Sequence, residues 1–334
     1  MPTLDVTRAV AVAIAPDRLP DVITPQVRSA LAERHDCVWA TDELGPEEVA
    51  ELAAGRDLVV TSWGTPPLDL DALGDRAPGA VAHAAGTVKR LFTTADRVLT
   101  GEVAVFSGAA RIADSVGEYC LLAALQLLRQ VHTYHQQVRA GGWRSETHFE
   151  PRELYGRTVG LLGASRTGRA FARLLQPFGV DLRIVDPYLD PAGAAAMGGR
   201  CTSLEEALGS DVVSLHLPRL PATAGMIDAA RLASIPDGSV VINSARADVV
   251  DHDALLAEGA RGRLRVAVDV HPVEPVPSTD PLGDEVLATP HIAGFTTDCR
   301  QALVGHVVAA VEEWWRTGED GPDRVQPAAW EQLA

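Results

Sequence analysis

The stretch Thr158-Val159-Gly160-Leu161-Leu162-Gly163-Ala164-Ser165-Arg166-Thr167-Gly168 decides the fold. An apolar β-rich run enters a glycine turn and leaves it as an amphipathic pattern over 169–178, so the segment reads as strand, turn, helix. In that setting the turn offers backbone N–H groups and a helix N-terminus to a pyrophosphate. Gly163, Ser165, Arg166, Thr167 and Gly168 are the candidate phosphate-side residues. The dinucleotide fingerprint wants glycine at its second position, where Ser165 stands, so that the backbone can approach the phosphates. The serine Cβ would crowd the pyrophosphate, or its hydroxyl would donate to it.

Asp186 follows the next β-rich run, 23 residues after Gly163. An acidic side chain at that place accepts hydrogen bonds from an adenosine ribose and repels a 2′-phosphate, which favours NAD over NADP. Arg183 and Arg166 lie close enough in sequence to keep that preference open.

Outward from this unit the rhythm repeats. Runs at 158–162, 182–185, 212–216, 240–243 and 266–270 alternate with helix-length segments, which implies a parallel sheet. Upstream, runs at 10–15, 58–61 and 80–83 with helices at 25–34 and 46–54 imply another. Between them a long helix is expected over 115–140, with Asp114 as N-cap and Gly141-Gly142 as its end; a last helix is expected over 297–316. The fold class is α/β, with two doubly wound parallel-sheet domains.

The 334 residues suit two domains at roughly 150 residues each. A formal net charge of −16 argues against nucleic acid and anionic membrane surfaces as partners. No apolar run approaches the roughly 20 residues that span a bilayer, and the apolar stretch 9–15, preceded by Asp5, reads as a strand and not as a leader. Cys37, Cys120, Cys201 and Cys299 are far apart with no CxxC pair, which suggests neither a disulfide framework nor a thiolate metal site and fits a cytoplasmic protein. His132 and His135 share a helix face without a third ligand at fitting spacing, so no metal is expected.

Three later segments each place polar residues beyond the carboxyl end of a strand, where open α/β sheets bind ligands. They are Asn243-Ser244-Ala245-Arg246, Asp269-Val270-His271-Pro272-Val273-Glu274-Pro275, and Thr289-Pro290-His291-Ile292-Ala293-Gly294. With the glycine turn, in this order, they resemble the NAD-dependent D-isomer-specific 2-hydroxyacid dehydrogenases over essentially the whole chain.

The resemblance implies a flavodoxin-like substrate domain from 1–109 and 298–334, with an inserted Rossmann NAD-binding domain at 110–297 that carries a homodimerisation helix region. It implies Arg246, Glu274 and His291 as the catalytic set, with Arg246 holding substrate, His291 exchanging the proton and Glu274 tuning it. The chemistry agrees: an arginine fork grips a carboxylate, and a histidine, with an ordinary pKa of about 6.5, serves as acid and base near neutrality. It also implies Leu217, Pro218, Thr223, Ala245, Asp269 and His291 on the cofactor, and Trp63, Gly64, Ala85, Gly86, Thr87 and Arg246 on the substrate. Lys89, the only lysine among 29 basic residues, is a candidate for a second acidic group on the substrate, and His271 is a fallback proton donor.

The expected activity is hydride transfer between NAD(H) and a small 2-keto or D-2-hydroxy acid, phosphoglycerate-like and phosphonate acids included. Formate dehydrogenases pair the histidine with glutamine, so Glu274 argues against formate. A non-catalytic NAD(H)-sensing protein, like the corepressors of this fold, is the second reading.

Overall fold

The computed structural model describes residues 7–144, 150–277 and 286–333. The chain divides into two compact units, one formed by 1–112 and 295–334, the other by 113–294. The boundaries expected from sequence lie three residues away at each crossing.

The first unit holds five parallel strands: β1 (Ala9–Ala13), β2 (Asp36–Trp39), β3 (Leu58–Ser62), β4 (Ala80–Ala84) and β5 (Ala104–Ser107). Their order is β2-β1-β3-β4-β5, the flavodoxin-like arrangement. Successive side chains of a strand face opposite ways, and here both faces are buried. Val10, Val12, Leu58 and Val60 pack on Leu31 and on Leu303, Val307 and Val311 of the helix Thr297–Thr317. Ala11, Ala13, Val59 and Val81 pack on Val49 and Ala53 of the helix Pro46–Ala53. A sheet covered on both sides reads as continuous apolar runs, as β1 does throughout and β3 and β4 do up to Val60 and Ala82.

The second unit holds seven parallel strands: β6 (Thr158–Leu162), β7 (Asp181–Val185), β8 (Gly199–Cys201), β9 (Val212–Leu215), β10 (Val240–Asn243), β11 (Arg265–Val268) and β12 (Val286–Ala288). Their order, β12-β11-β10-β9-β6-β7-β8, is that of a Rossmann sheet extended by one strand. At Gly160 in β6, the Ala207 carbonyl of the helix Leu204–Leu208 occupies the space that a β-carbon needs.

The structure corrects several sequence expectations. Four strands were not anticipated, β2, β5, β8 and β12, and these are the four sheet edges. They have three or four residues each, too few for an alternation to show. The long helix begins earlier, at Ala109, and Asp114 lies inside it as the ion-pair partner of Arg173 at 2.6 Å, not as its cap. It stops at Arg129, because Gln130 adopts a left-handed conformation (φ 52°), and a separate helix, Val131–Arg139, follows. The helix after the glycine turn runs over Arg166–Leu175, three residues ahead of the expected start, because Ser165 caps it.

Gly160→Ala is expected to destabilise the second unit by about 1–3 kcal/mol, since the obstacle is backbone and not a side chain able to move. Urea denaturation followed by circular dichroism measures it; an unchanged midpoint would show that the helix Leu204–Leu208 shifts freely.

Candidate active site

One row of residues crosses the second sheet in register: Val185, Leu162, Leu215, Asn243, Val268 and Ala288. Every strand in the row is parallel, so all six chains leave the sheet at the same edge. The residues that follow are Asp186, Gly163, His216, Ser244, Asp269 and Thr289. Hydrogen-bond register thus gathers the separate sequence segments at one carboxyl edge.

At the glycine turn, Gly163 takes a φ of +100°, and a side chain there would meet the His216 carbonyl at 2.7 Å. The Gly163 carbonyl in turn fills the β-carbon position of Gly168, which brings the helix Arg166–Leu175 hard against the turn. Ser165 has an extended backbone (φ −63°, ψ 176°) that needs no glycine. Its Oγ accepts from the Gly168 N–H at 3.4 Å and lies 3.1 Å from Thr167 Oγ1. The serine hydroxyl is therefore turned inward as a helix cap. The N–H groups of a helix's first turn lack intrahelical acceptors, so the turn still suits a pyrophosphate.

Asp186 closes the turn from the side, accepting from the Ala164 N–H and the Tyr188 N–H, each at 2.8 Å. Each carboxylate oxygen keeps a further lone pair for a ribose hydroxyl. Arg183 is engaged with Asp181 at 3.0 Å and with the Glu206 carbonyl at 3.2 Å. Beneath the turn lies His216, which sequence reasoning did not single out. Its ring bridges Thr167 Oγ1 (3.0 Å) and Ser214 Oγ (2.9 Å), and burial pushes its imidazole down to about 3, so it is a neutral spacer. The only sequence signal is its place directly after β9. In the loop that follows, the Thr223 hydroxyl donates to the Pro218 carbonyl at 2.6 Å and accepts from the Leu220 N–H at 3.0 Å, and Leu217 is buried. Thr223 thus shapes the loop through its own hydroxyl.

Arg246 is presented by Asn243, whose side chain spans the turn after β10. Asn243 Nδ2 donates to the Arg246 carbonyl (3.0 Å) and Oδ1 accepts from the Ala245 N–H (3.1 Å). Arg246 Nη1 donates to the Ala245 carbonyl at 2.6 Å.

The structure brings His291 and Glu274 together, with His291 Nδ1 2.8 Å from Glu274 Oε2 and both side chains part-exposed. Glu274 also accepts from the His271 N–H at 3.0 Å. Partial burial opposes its ionisation, but the hydrogen bonds from His291 and His271 and their charges outweigh it, holding the carboxyl below its usual range. His271 Nε2 lies 3.0 Å from the Thr289 carbonyl, which commits the fallback donor to the loop.

His291 has a φ of +56°, a left-handed conformation that costs a residue with a β-carbon about 1–2 kcal/mol. Asp269 supplies what holds it there. Fully buried, its carboxylate accepts from Thr289 Oγ1 (2.6 Å), Ile292 N (2.8 Å) and Ala293 N (2.8 Å), holding a side chain before His291 and two backbone N–H groups after it.

In the first unit, Ala13, Thr61, His83 and Ser107 form a similar row. The carbonyls of Ala85 and Gly86 accept from Ser107 Oγ at 3.3 and 2.9 Å. A trans peptide points its N–H opposite to its C=O, so the N–H groups of Gly86 and Thr87 face away from Ser107. His83 is held by Thr61 Oγ1 of β3 at 2.9 Å, and burial, partly opposed by a hydrogen bond with the Thr87 backbone of this loop, lowers its imidazole to about 4. Trp63 is part-exposed and meets Phe295 edge-on at 6.3 Å; Gly64 follows with a φ of +82°. Lys89 Nζ lies 3.3 Å from the Glu331 carbonyl.

Residues 121–293 match the model of the D-isomer specific 2-hydroxyacid dehydrogenase, NAD binding domain. The chain belongs to that family. NAD is the cofactor of the matched domain, and the glycine turn and Asp186 fit it. The family member D-3-phosphoglycerate dehydrogenase of Mycobacterium tuberculosis is 31% identical over 312 residues, covering 91% of this chain and 57% of that protein. The chain therefore spans little more than half the length of that curated relative. D-lactate dehydrogenase of Treponema pallidum is 34% identical over 208 residues, covering 57% of this chain and 62% of its own. Among solved structures, a phosphoglycerate oxidoreductase from Rhizobium etli superposes with a TM-score of 0.79 at 25% identity, covering 96% of this chain and 99% of that one.

Because Ser165 caps the helix, Ser165→Ala is expected to cost about 1 kcal/mol and Ser165→Gly a few tenths. NADH affinity of Ser165→Gly, read by fluorescence titration, should stay within about threefold of the parent, since glycine is tolerated at the cap position of a helix at little cost. Much tighter binding would show that the serine Cβ crowds the phosphates.

Proposed function

We propose that the protein interconverts a short 2-keto acid and its D-2-hydroxy acid. The observation that carries this reading is the 2.8 Å contact between His291 Nδ1 and Glu274 Oε2 at the strand edge from which Arg246 also emerges. An ionised carboxylate only accepts, so Nδ1 keeps its proton and Nε2 is the atom that gives or takes one. In reduction, the protonated imidazole donates from Nε2 to the carbonyl oxygen of the substrate; in oxidation the neutral ring removes the hydroxyl proton. Glu274, held ionised, accepts the Nδ1 proton and fixes the ring plane. Arg246 holds the substrate carboxylate or carbonyl oxygen by its fork, and the outward N–H groups of Gly86 and Thr87 are carboxylate donors. Trp63 and Gly64 shape the substrate wall, and Asp186, the glycine turn, Leu217, Pro218 and Ala245 hold the dinucleotide. Bound NADH supplies the hydride that reduces the keto carbon.

Leu122, Val131, Val138 and Trp143 are exposed apolar residues in and just after the helices Ala109–Arg129 and Val131–Arg139, and they support a homodimer formed through this surface. The four cysteines are free, in keeping with a reducing, cytoplasmic setting. Among the described residues no helix is long and apolar enough to cross a membrane.

A panel of glyoxylate, hydroxypyruvate, pyruvate and 3-phosphohydroxypyruvate, followed by NADH absorbance and repeated with NADPH, tests the activity. NADH consumption is expected with at least one of them; binding without turnover would favour the sensing role. His291→Ala should lower kcat by about 10²–10⁴-fold while retaining NADH affinity. Glu274→Gln removes the carboxylate that accepts the Nδ1 proton of His291, so kcat should fall by roughly tenfold or more with NADH affinity retained. An unchanged kcat would remove Glu274 from the proton chemistry.

A further inference from the structure

Thr289 is a hub whose hydrogen bonds leave one connection outside the proposed machinery. Its carbonyl accepts from the His291 N–H at 3.0 Å and lies 3.0 Å from His271 Nε2. Its hydroxyl donates its single proton to Asp269 Oδ1 at 2.6 Å. Tyr119, on the helix Ala109–Arg129, places its phenol oxygen 2.7 Å from the same Thr289 Oγ1. Both Asp269 oxygens accept backbone N–H groups from Ile292 and Ala293, so that side chain acts as an acceptor throughout. The threonine proton is thereby fixed on Asp269, and the phenol must donate to Thr289. The order of donation is Tyr119 to Thr289 to Asp269, and Asp269 holds both backbone N–H groups that follow His291.

We propose that Tyr119 is a positioning residue for His291, setting the loop that carries the imidazole through Thr289 and Asp269. This rests on the reading of His291 as the proton-exchanging residue. The left-handed backbone of His291 relaxes unless its neighbours over-determine it. Asp269 clasps the loop from β11, on its own sheet, whereas Tyr119 reaches it from a helix, which makes it an independent restraint. Burial, together with the nearby charge of Asp269 and only partly offset by the Thr289 hydrogen bond, pushes the Tyr119 phenol up to about 12, so it remains a donor at every working pH. Cys120, the next residue on the helix, contacts Ser244 Oγ at 3.2 Å in the segment leading to Arg246. The same helical turn therefore touches the segments bearing both proposed catalytic cations.

The test compares Tyr119→Phe, Thr289→Val, Thr289→Ser and the Tyr119→Phe/Thr289→Val double variant. Tyr119→Phe should lower kcat for keto-acid reduction by roughly tenfold with little change in NADH affinity, as expected when a proton donor is displaced and not lost. Thr289→Val should fall similarly, the double variant should be no worse than the poorer single, and Thr289→Ser, which restores both hydrogen bonds, should recover most of the rate. A parent-like kcat in a folded Tyr119→Phe, or losses that multiply in the double variant, would overturn the relay.

A second readout stands apart from turnover. In protein carrying ¹³C-labelled histidine, the His291 ring cross peak, assigned by its loss in His291→Ala, should be displaced or doubled in Tyr119→Phe and Thr289→Val. It should return in Thr289→Ser. An unmoved peak refutes the positioning role even if the parent enzyme is active, whereas a moved peak with no turnover on any keto acid upholds the relay and sinks the proposed activity. Should Tyr119→Phe fail to fold, Thr289→Val cuts the same chain without disturbing the tyrosine ring, and an unmoved peak there overturns the proposal.

Discussion

The buried carboxylate of Asp269 is the constraint on which the candidate active site depends. A charged group withdrawn from water is tolerated only when hydrogen bonds replace its hydration, and here three donors do so, all from the segment that carries His291. The interaction works in both directions. The loop satisfies the carboxylate, and the carboxylate keeps the loop in a backbone conformation that it would otherwise leave. His291 then meets Glu274, which is itself fixed by the His271 N–H.

Sheet register does for the whole site what Asp269 does for one loop. Six parallel strands end level with one another, so residues more than a hundred positions apart emerge from a single edge. The interior beneath the carboxyl edge of each sheet is made inert. His216 under the glycine turn and His83 under the loop after β4 are both driven to the neutral form by burial, each held through a hydroxyl. His291 differs from both: it is part-exposed, and its ring is hydrogen-bonded to the Glu274 carboxylate.

The sequence announced the strands that are buried on both faces, because two covered faces force a continuous apolar run. It was silent about the sheet edges: β8 (Gly-Arg-Cys) and β12 (Val-Leu-Ala) are strands only because a neighbouring strand offers its backbone. Asp114 looked like a helix cap, since aspartate before an apolar pattern fits that role, yet the Ser107 hydroxyl accepts from the Ala109 N–H and the helix begins there. Ser165 looked like a misfit in a glycine motif. Its extended backbone and its hydrogen bond to Gly168 show it as the cap of the helix instead.

Residue identity and spacing alone determined the α/β class, the glycine turn with its acidic partner Asp186, and the strand-end positions of Arg246, Asp269 and Glu274, because each follows from local periodicity and from which residue types can do the chemistry. Tertiary structure decided which of those groups touch and which are consumed in holding others. Asp269 faces the protein and not the surface, Thr223 is spent on its own loop, His216 is a neutral support, and Tyr119 reaches the His291 segment from a helix 170 residues away in sequence. Such assignments depend on burial and on hydrogen-bond partners brought together by packing, and neither is written in the order of residues along a chain.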